Sequence, residues 1–391
     1  MVFFYKLVFL ILMWMGKMFG PNVTKKVVIL GLKSQIFQPQ KRFSARLKTV
    51  LFGQPLKTPI GLSAEFDRNG KMIDLLAPLG LSFGELGSFT LLADSTREKV
   101  MFLKKFKALY IQAVGAPNPG VSKAAQILAA RRQHTTFIGA SIISFGSEGE
   151  YRTSTSAVYG YGNDYHQMAM KVAPYVDYVL VNLSHPNMSL AQMLADETTL
   201  LPMLLDIKGA LMLAAPLKTP KLVIKVPYDL SDLEVKLIAE TSKKAGVEGI
   251  IVAGPAVATR QMRSLFKTKG VMSMDSAFVT GALLKKDVMQ LVKRFYLETK
   301  GQIDIVASGC VFTAQDVYDL IANGATAVQL GAVLLYKGPD ALIKMNKELV
   351  KLLEKNSETV ESLRGSNVDM EAFLSAESKK DHMNYKPDFV D

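Results

Sequence analysis

The sequence predicts an α/β fold, a closed (β/α)8 barrel, on three observations. Eight short β-rich runs recur from Pro59 onward, the segments joining them are long enough for a crossover helix, and most runs are bounded by Gly, Pro or Asn. In order they are IGLSAEF (60–66), FGELGSFT (83–90), TFIGASII (136–143), DYVLVNL (177–183), KLVIKV (221–226), GIIVAG (249–254), DIVASG (304–309) and AVQLGA (327–332). Their span suits the roughly 250 residues of a TIM barrel. A doubly wound sheet competes, but no G-x-G-x-x-G follows the first run, and the glycines fall at run ends throughout.

The joining segments agree. Asp232 to Ala245 and Asp316 to Ala322 are amphipathic and reach Gly246 and Asn323-Gly324, where a helix can hand over to the next strand. The predicted plan is an N-terminal helical arm over residues 1–50, the barrel over 51–365, and a polar tail over 366–391 expected to be mobile.

The arm is set apart by charge. Of a formal +12, ten units are Lys and Arg before Glu65, the first carboxylate, so the remainder is nearly neutral. A wholly basic apolar arm before a neutral body points to an anionic membrane surface rather than to nucleic acid, whose enzymes spread basic charge over the working face. LVFLILMWMG (7–16) is short of the roughly 20 apolar residues of a spanning helix, and no small-residue cleavage site follows it. The expectation is a monotopic, membrane-associated anchor over residues 1–37, with the barrel facing the cytoplasm or an equivalent compartment. Asn22 is the expected N-cap of a second helix reaching toward Phe37, which Gly31 weakens, and which could instead pack on the body.

Composition excludes other classes. A 49% hydrophobic content argues against disorder, the single cysteine, Cys310, rules out a disulfide framework, and four scattered histidines give no metal-ligand spacing. Chemistry is expected where the strands end. There the sequence places Ala64 to Gly70, Gly87-Ser88, Asn182 to Asn187, Lys225, Ser308-Gly309-Cys310 and Leu330-Gly331-Ala332. Small residues after the last two strands suit a phosphate held by backbone N–H groups, and a lysine at the mouth can stabilise a reduced flavin or an oxyanion.

Together the stretches TPIGLSAEFDRNG (58–70), GLSFGELGSFT (80–90), DYVLVNLSHPN (177–187) and ANGATAVQLGAVLLYKGP (322–339) resemble dihydroorotate dehydrogenase, in its membrane-associated, quinone-reducing class. The resemblance runs from about Met18 to Gly365 and implies an FMN-dependent oxidation of dihydroorotate to orotate, a step of pyrimidine biosynthesis, with membrane quinone as acceptor and no metal. It implies that Ala64, Arg68, Ser88, Ser141, Asn182, Lys225, Thr280 and Gly281 contact the flavin ring and ribityl chain. Gly309, Cys310, Gly331 and Ala332 would hold its phosphate, and Arg68, Gln112, Asn182 and Asn187 the pyrimidine.

The sequence departs from the family at several of these points. His185 stands at the catalytic-base position, where the family has Ser or Cys, and histidine can accept a proton near neutral pH unaided. Glu65 replaces a glycine, Gly254-Pro255 an Asn-Thr pair, and Ala116 an aromatic. Such changes leave two other expectations standing: a flavoprotein for a different small enone or imide, and a catalytically silent membrane-held barrel.

Overall fold

Eight parallel strands close into a barrel, and they are the eight runs read from the sequence. The computed structural model describes residues 2–375 except 35, 38, 71, 97, 114, 132–135, 146–155, 185–195 and 258–276, with the side chains of 2–4, 112–113 and 156–162 also outside the description. In chain order the strands are β1 Thr49–Leu51, β2 Gln54–Leu56, β3 Ile60–Leu62, β4 Phe83–Phe89, β5 Glu98–Leu103, β6 Ala108–Ala113 and β7 Phe137–Ile142. They continue with β8 Tyr178–Asn182, β9 Lys221–Lys225, β10 Gly249–Val252, β11 Ala256–Val257, β12 Ala277–Gly281, β13 Asp304–Ala307 and β14 Ala327–Leu330. The barrel runs β3-β4-β7-β8-β9-β10-β13-β14 and back to β3. Helices cover its outer face, so these strands are buried on both sides and read as continuous apolar runs.

The barrel floor is plugged by the β1–β2 hairpin. Phe52 at its tip enters a cluster with Phe83, Phe137, Tyr178, Val223 and Ile251, its ring centroid 5.3 Å from that of Tyr178. Two glycines make the space: a Cβ on Gly139 would lie 2.2 Å from the Tyr178 ring, and one on Gly249 2.1 Å from Phe52. Large and small residues thus alternate across the interior, as a filled barrel requires.

The helices start and stop by local chemistry. Asp232–Ala245 opens on a Ser231/Glu234 capping box and closes at Gly246, with φ 65°. Ala314–Ala322 opens on a Thr313/Asp316 box, two residues before the apolar pattern suggested. Past the barrel, Gly365 and Asn367 donate to the Ile321 and Ala322 carbonyls, so ordered contacts continue into the start of the expected tail; residues 376–391 lie outside the description.

A second sheet was not expected. β11-β12-β6-β5 is antiparallel, built from the excursions after β4 and β10. β12 is tied to the barrel where Gly281 N–H and Thr280 Oγ1 donate to the Gly309 carbonyl at 2.6 and 3.1 Å.

The arm is a hairpin of two helices, α1 Val2–Phe19 and α2 Pro21–Lys33. The expected N-cap, Asn22, is corrected: Gly20, at φ 107°, makes the turn and Pro21 opens the helix. Asn22 instead lines the main cavity described below. Nor is Gly31 merely a weak point, because a Cβ there would lie 2.3 Å from the Phe9 ring and force the hairpin apart. α2 packs Val28 and Leu32 into the main core, while α1 buries Phe9 and Met13 and exposes Leu7, Leu10, Ile11, Trp14, Met18 and Phe19.

Candidate active site

The mouth of the barrel, at the carboxyl ends of its strands, opens into the main cavity. Its floor is polar: Lys225 from β9 and Gln329 from β14 reach it, with Ser63, Glu65 and Arg68 following β3, and Gly309 and Gly331 following β13 and β14. Thr280 and Ile111 of the second sheet form one wall, and Pro21, Asn22 and Lys25 of α2 form the outer end. A smaller cavity adjoins it, lined by Ser88, Gly115, Ala116, Asn182, Ser184, Pro255 and Phe278. Glu65, Arg68, Glu98, Ile111 and Pro255 line both and mark the junction.

Charges at the junction are paired. Lys225, only 2% exposed, donates from Nζ to Glu65 Oε1 at 2.8 Å. Burial works against the charged Glu65, yet the Lys225 ammonium and its hydrogen bond hold the carboxyl below its usual range. Arg68 donates to Glu98 Oε2 at 2.9 Å. Lys25 lies 5.2 Å from the centre of the Phe66 ring; burial, then Arg68, lower its pKa, partly offset by Asp67 and Glu98.

Beneath them lies a polar group inside the barrel. Glu85 of β4 accepts from Gln329 Nε2 at 2.6 Å and from the Tyr178 hydroxyl at 3.3 Å. Among the described residues, Glu85 Oε2 and Gln329 Oε1 are buried without partners. Burial pushes the Glu85 carboxyl up to about 7, against the pull of Lys225 and these hydrogen bonds.

A hydroxyl chain supports the smaller cavity. Asn182 Nδ2 donates to Ser88 Oγ at 3.0 Å, Ser88 and Ser141 share a 2.7 Å bond, and Ser184 donates to Asn182 Oδ1 from N–H and Oγ at 3.0 and 2.7 Å. The Tyr165 hydroxyl donates to the Asn182 carbonyl at 2.9 Å. With both ends held, the Asn182 amide has a fixed orientation on the wall of the smaller cavity. Gly254 now has a local reason, since a Cβ there would lie 2.3 Å from Ser184 Oγ.

The structure thus brings together Arg68, Lys225, Thr280, Gly309, Gly331 and Ala332 on the main cavity, and Ser88 and Asn182 on the smaller one. Ala64, Ser141, Gly281 and Cys310 stand behind the walls, buried. Cys310 is an unreactive thiol, pushed by burial to about 12. Gln112 lies on β6 with its side chain outside the description, and His185 and Asn187 fall wholly outside it. Sequence reasoning missed Asn22, Lys25, Ser63, Glu85, Glu98 and Gln329 as site residues, and named Ser184 at a strand end without giving it a role.

Comparison with known proteins decides the family. The dihydroorotate dehydrogenase family model matches residues 46–353, most of the chain. The chain belongs to the dihydroorotate dehydrogenase family. Relatives include the mitochondrial dihydroorotate dehydrogenase (quinone) of Mus musculus, 28% identical over 337 residues, covering 84% of this chain and 81% of that protein. The dihydroorotate dehydrogenase (quinone) of Rhodospirillum rubrum is 29% identical, covering 78% of each. In fold the chain is similar to crystalline Eimeria tenella dihydroorotate dehydrogenase in complex with ferulenol, with TM-score 0.75 and 23% identity over 88% of this chain and 95% of that one. Membership makes this barrel an oxidoreductase of CH–CH bonds.

Proposed function

We propose that this protein is a membrane-associated, FMN-dependent dihydroorotate dehydrogenase that oxidises dihydroorotate to orotate in pyrimidine biosynthesis and passes the electrons to membrane quinone. The observation that carries it is the main cavity, which runs unbroken from the Lys225, Gly309 and Gly331 end to Pro21, Asn22 and Lys25 of the arm. A flavin set at the barrel end would face a path to the arm on one side and the Asn182 cavity on the other.

The residues fit FMN. Backbone N–H groups of Gly309, Cys310, Gly331 and Ala332 donate to no described acceptor, and Gly309, at φ 86°, turns a loop that a phosphate can approach closely. Lys225 and the orphaned Gln329 Oε1 offer a cation and an acceptor to a polar ring. When bound, FMN supplies the hydride acceptor. The chain's part is to hold the pyrimidine through Asn182 and Asn187, exclude water, and take the C5 proton. His185, next after the fixed Ser184, is assigned as that base.

Anaerobic mixing tests this. Purified yellow protein should bleach on adding dihydroorotate, and His185→Ala should keep its FMN while bleaching about 10²-fold or more slowly. Colourless protein, or flavin that stays oxidised, would refute the assignment; an unchanged rate in the variant would move the base elsewhere.

One observation favours a second reading. Arg68, the cation at the junction and one of the residues expected to contact the pyrimidine, is engaged by Glu98, and Glu65 adds another negative charge there. A neutral cyclic imide suits that balance better than an anionic acid. Bleaching by dihydrouracil but not by dihydroorotate would select it.

The arm supplies membrane contact. No helix among the described residues is long and apolar enough to cross a membrane, yet Leu10, Trp14 and Phe19 are 61%, 64% and 74% exposed on α1. Replacing all three by Ser should abolish sedimentation with phosphatidylserine-containing vesicles and slow reduction of a bilayer quinone. Activity with a water-soluble dye should persist. Undiminished vesicle binding would show that the arm does not anchor the protein.

A further inference from the structure

Glu65 takes no part in the proton or hydride transfer proposed for this site. The resemblance places a glycine at this position, and here the carboxylate lies at the junction of the two cavities with its Oε1 2.8 Å from Lys225 Nζ. Lys225 is 2% exposed, so its charge reaches a neighbour in the cavity with little screening by water. Alone, such a cation favours any ring that gains negative charge beside it, and a flavin does so on reduction. Paired with a carboxylate, the ammonium acts as a short dipole whose field falls off much faster.

Resting on the FMN reading, we propose that Glu65 is a positioning residue that sets the reduction potential of the bound flavin, by cancelling part of the Lys225 charge. The pair lowers the potential. It moves driving force from the first half-reaction, in which dihydroorotate reduces the flavin, to the second, in which the flavin reduces quinone. Other charges facing the pair do not remove the effect. Arg68 is held by Glu98 at 2.9 Å, and Glu85, below the pair, adds negative character when ionised.

The test is a dye-equilibrium titration of the purified flavoprotein, read by absorbance without turnover. In Glu65→Gln and in Glu65→Gly the reduced-to-oxidised flavin ratio at a fixed dye potential should rise about tenfold, or about 30 mV for a two-electron couple. Glu65→Asp, which keeps the charge, should stay near the parent. FMN affinity of the stripped proteins, followed by quenching of flavin fluorescence, provides a second readout and shows that each variant still assembles the site. Unchanged potentials in Gln and Gly variants that hold FMN overturn the proposal, as does an equal shift in the Asp variant. Failure of the parent to retain FMN overturns the flavin reading itself and this inference with it.

Discussion

Lys225→Met is expected to cut FMN affinity and the rate of flavin bleaching by dihydroorotate by about 10²-fold or more each, while the barrel still folds. The lysine stands at the end of β9, fully buried, and reaches the main cavity. Methionine keeps the unbranched stem, so the hydrophobic contacts of that stem largely persist. What disappears is the cation on the flavin side of the barrel. Removing one preorganised charge or donor from a dry site typically costs about 10² to 10³ in rate. In the flavin-free protein stability should fall less, by about 1–2 kcal/mol, because the abandoned Glu65 carboxylate borders both cavities and can take up water there. Fluorescence quenching measures the affinity, stopped-flow the rate, and urea titration the stability. A variant that binds FMN and bleaches like the parent would place the flavin away from Lys225.

The eight barrel strands were legible because a parallel strand buried on both faces shows itself as an unbroken apolar run. The second sheet was not, for two physical reasons. β5 (EKVMFL) carries charge and lies half exposed, and β11 is two residues long and is a strand by virtue of its pairing with β12. β12 in turn pairs with β6, far away in sequence, so no local pattern announces either strand. At the site, Lys225, Gly309 and Gly331 could be read because they terminate strands. Glu85 and Gln329 could not: within an all-buried strand, nothing in the apolar periodicity tells which polar residue faces the interior. A single carboxylate inside FGELGSF was the available signal. Lys25 and Asn22 join the cavity only because α2 docks on the barrel, an arrangement that follows from Gly31 admitting Phe9 and from Val28 and Leu32 entering the core. Asn22 also shows how a strong capping residue loses to its context, since Gly20-Pro21 had already started the helix.

That buried carboxylate carries the second large effect. Glu85 in the folded protein titrates at about 7 rather than the ordinary 4.5, because the barrel interior penalises its charged form. The sign follows from linkage. Below about pH 4.5 the group is protonated whether the chain is folded or not, and it costs nothing. As pH rises the unfolded chain gives up the proton first, so the folded state loses ground until about pH 7, where its own carboxyl ionises and the penalty levels off. The span corresponds to about 3 kcal/mol. Glu85→Gln keeps the acceptor that Gln329 and Tyr178 use, and places an amide donor where Oε2 has no partner. The variant should therefore match the parent near pH 4.5 and exceed its stability progressively up to pH 7 and above. Urea titrations of both proteins at pH 4.5, 6 and 8 measure the difference directly. Parallel profiles across that window would mean that Glu85 ionises in its ordinary range, and that the polar group beneath Lys225 is charged throughout.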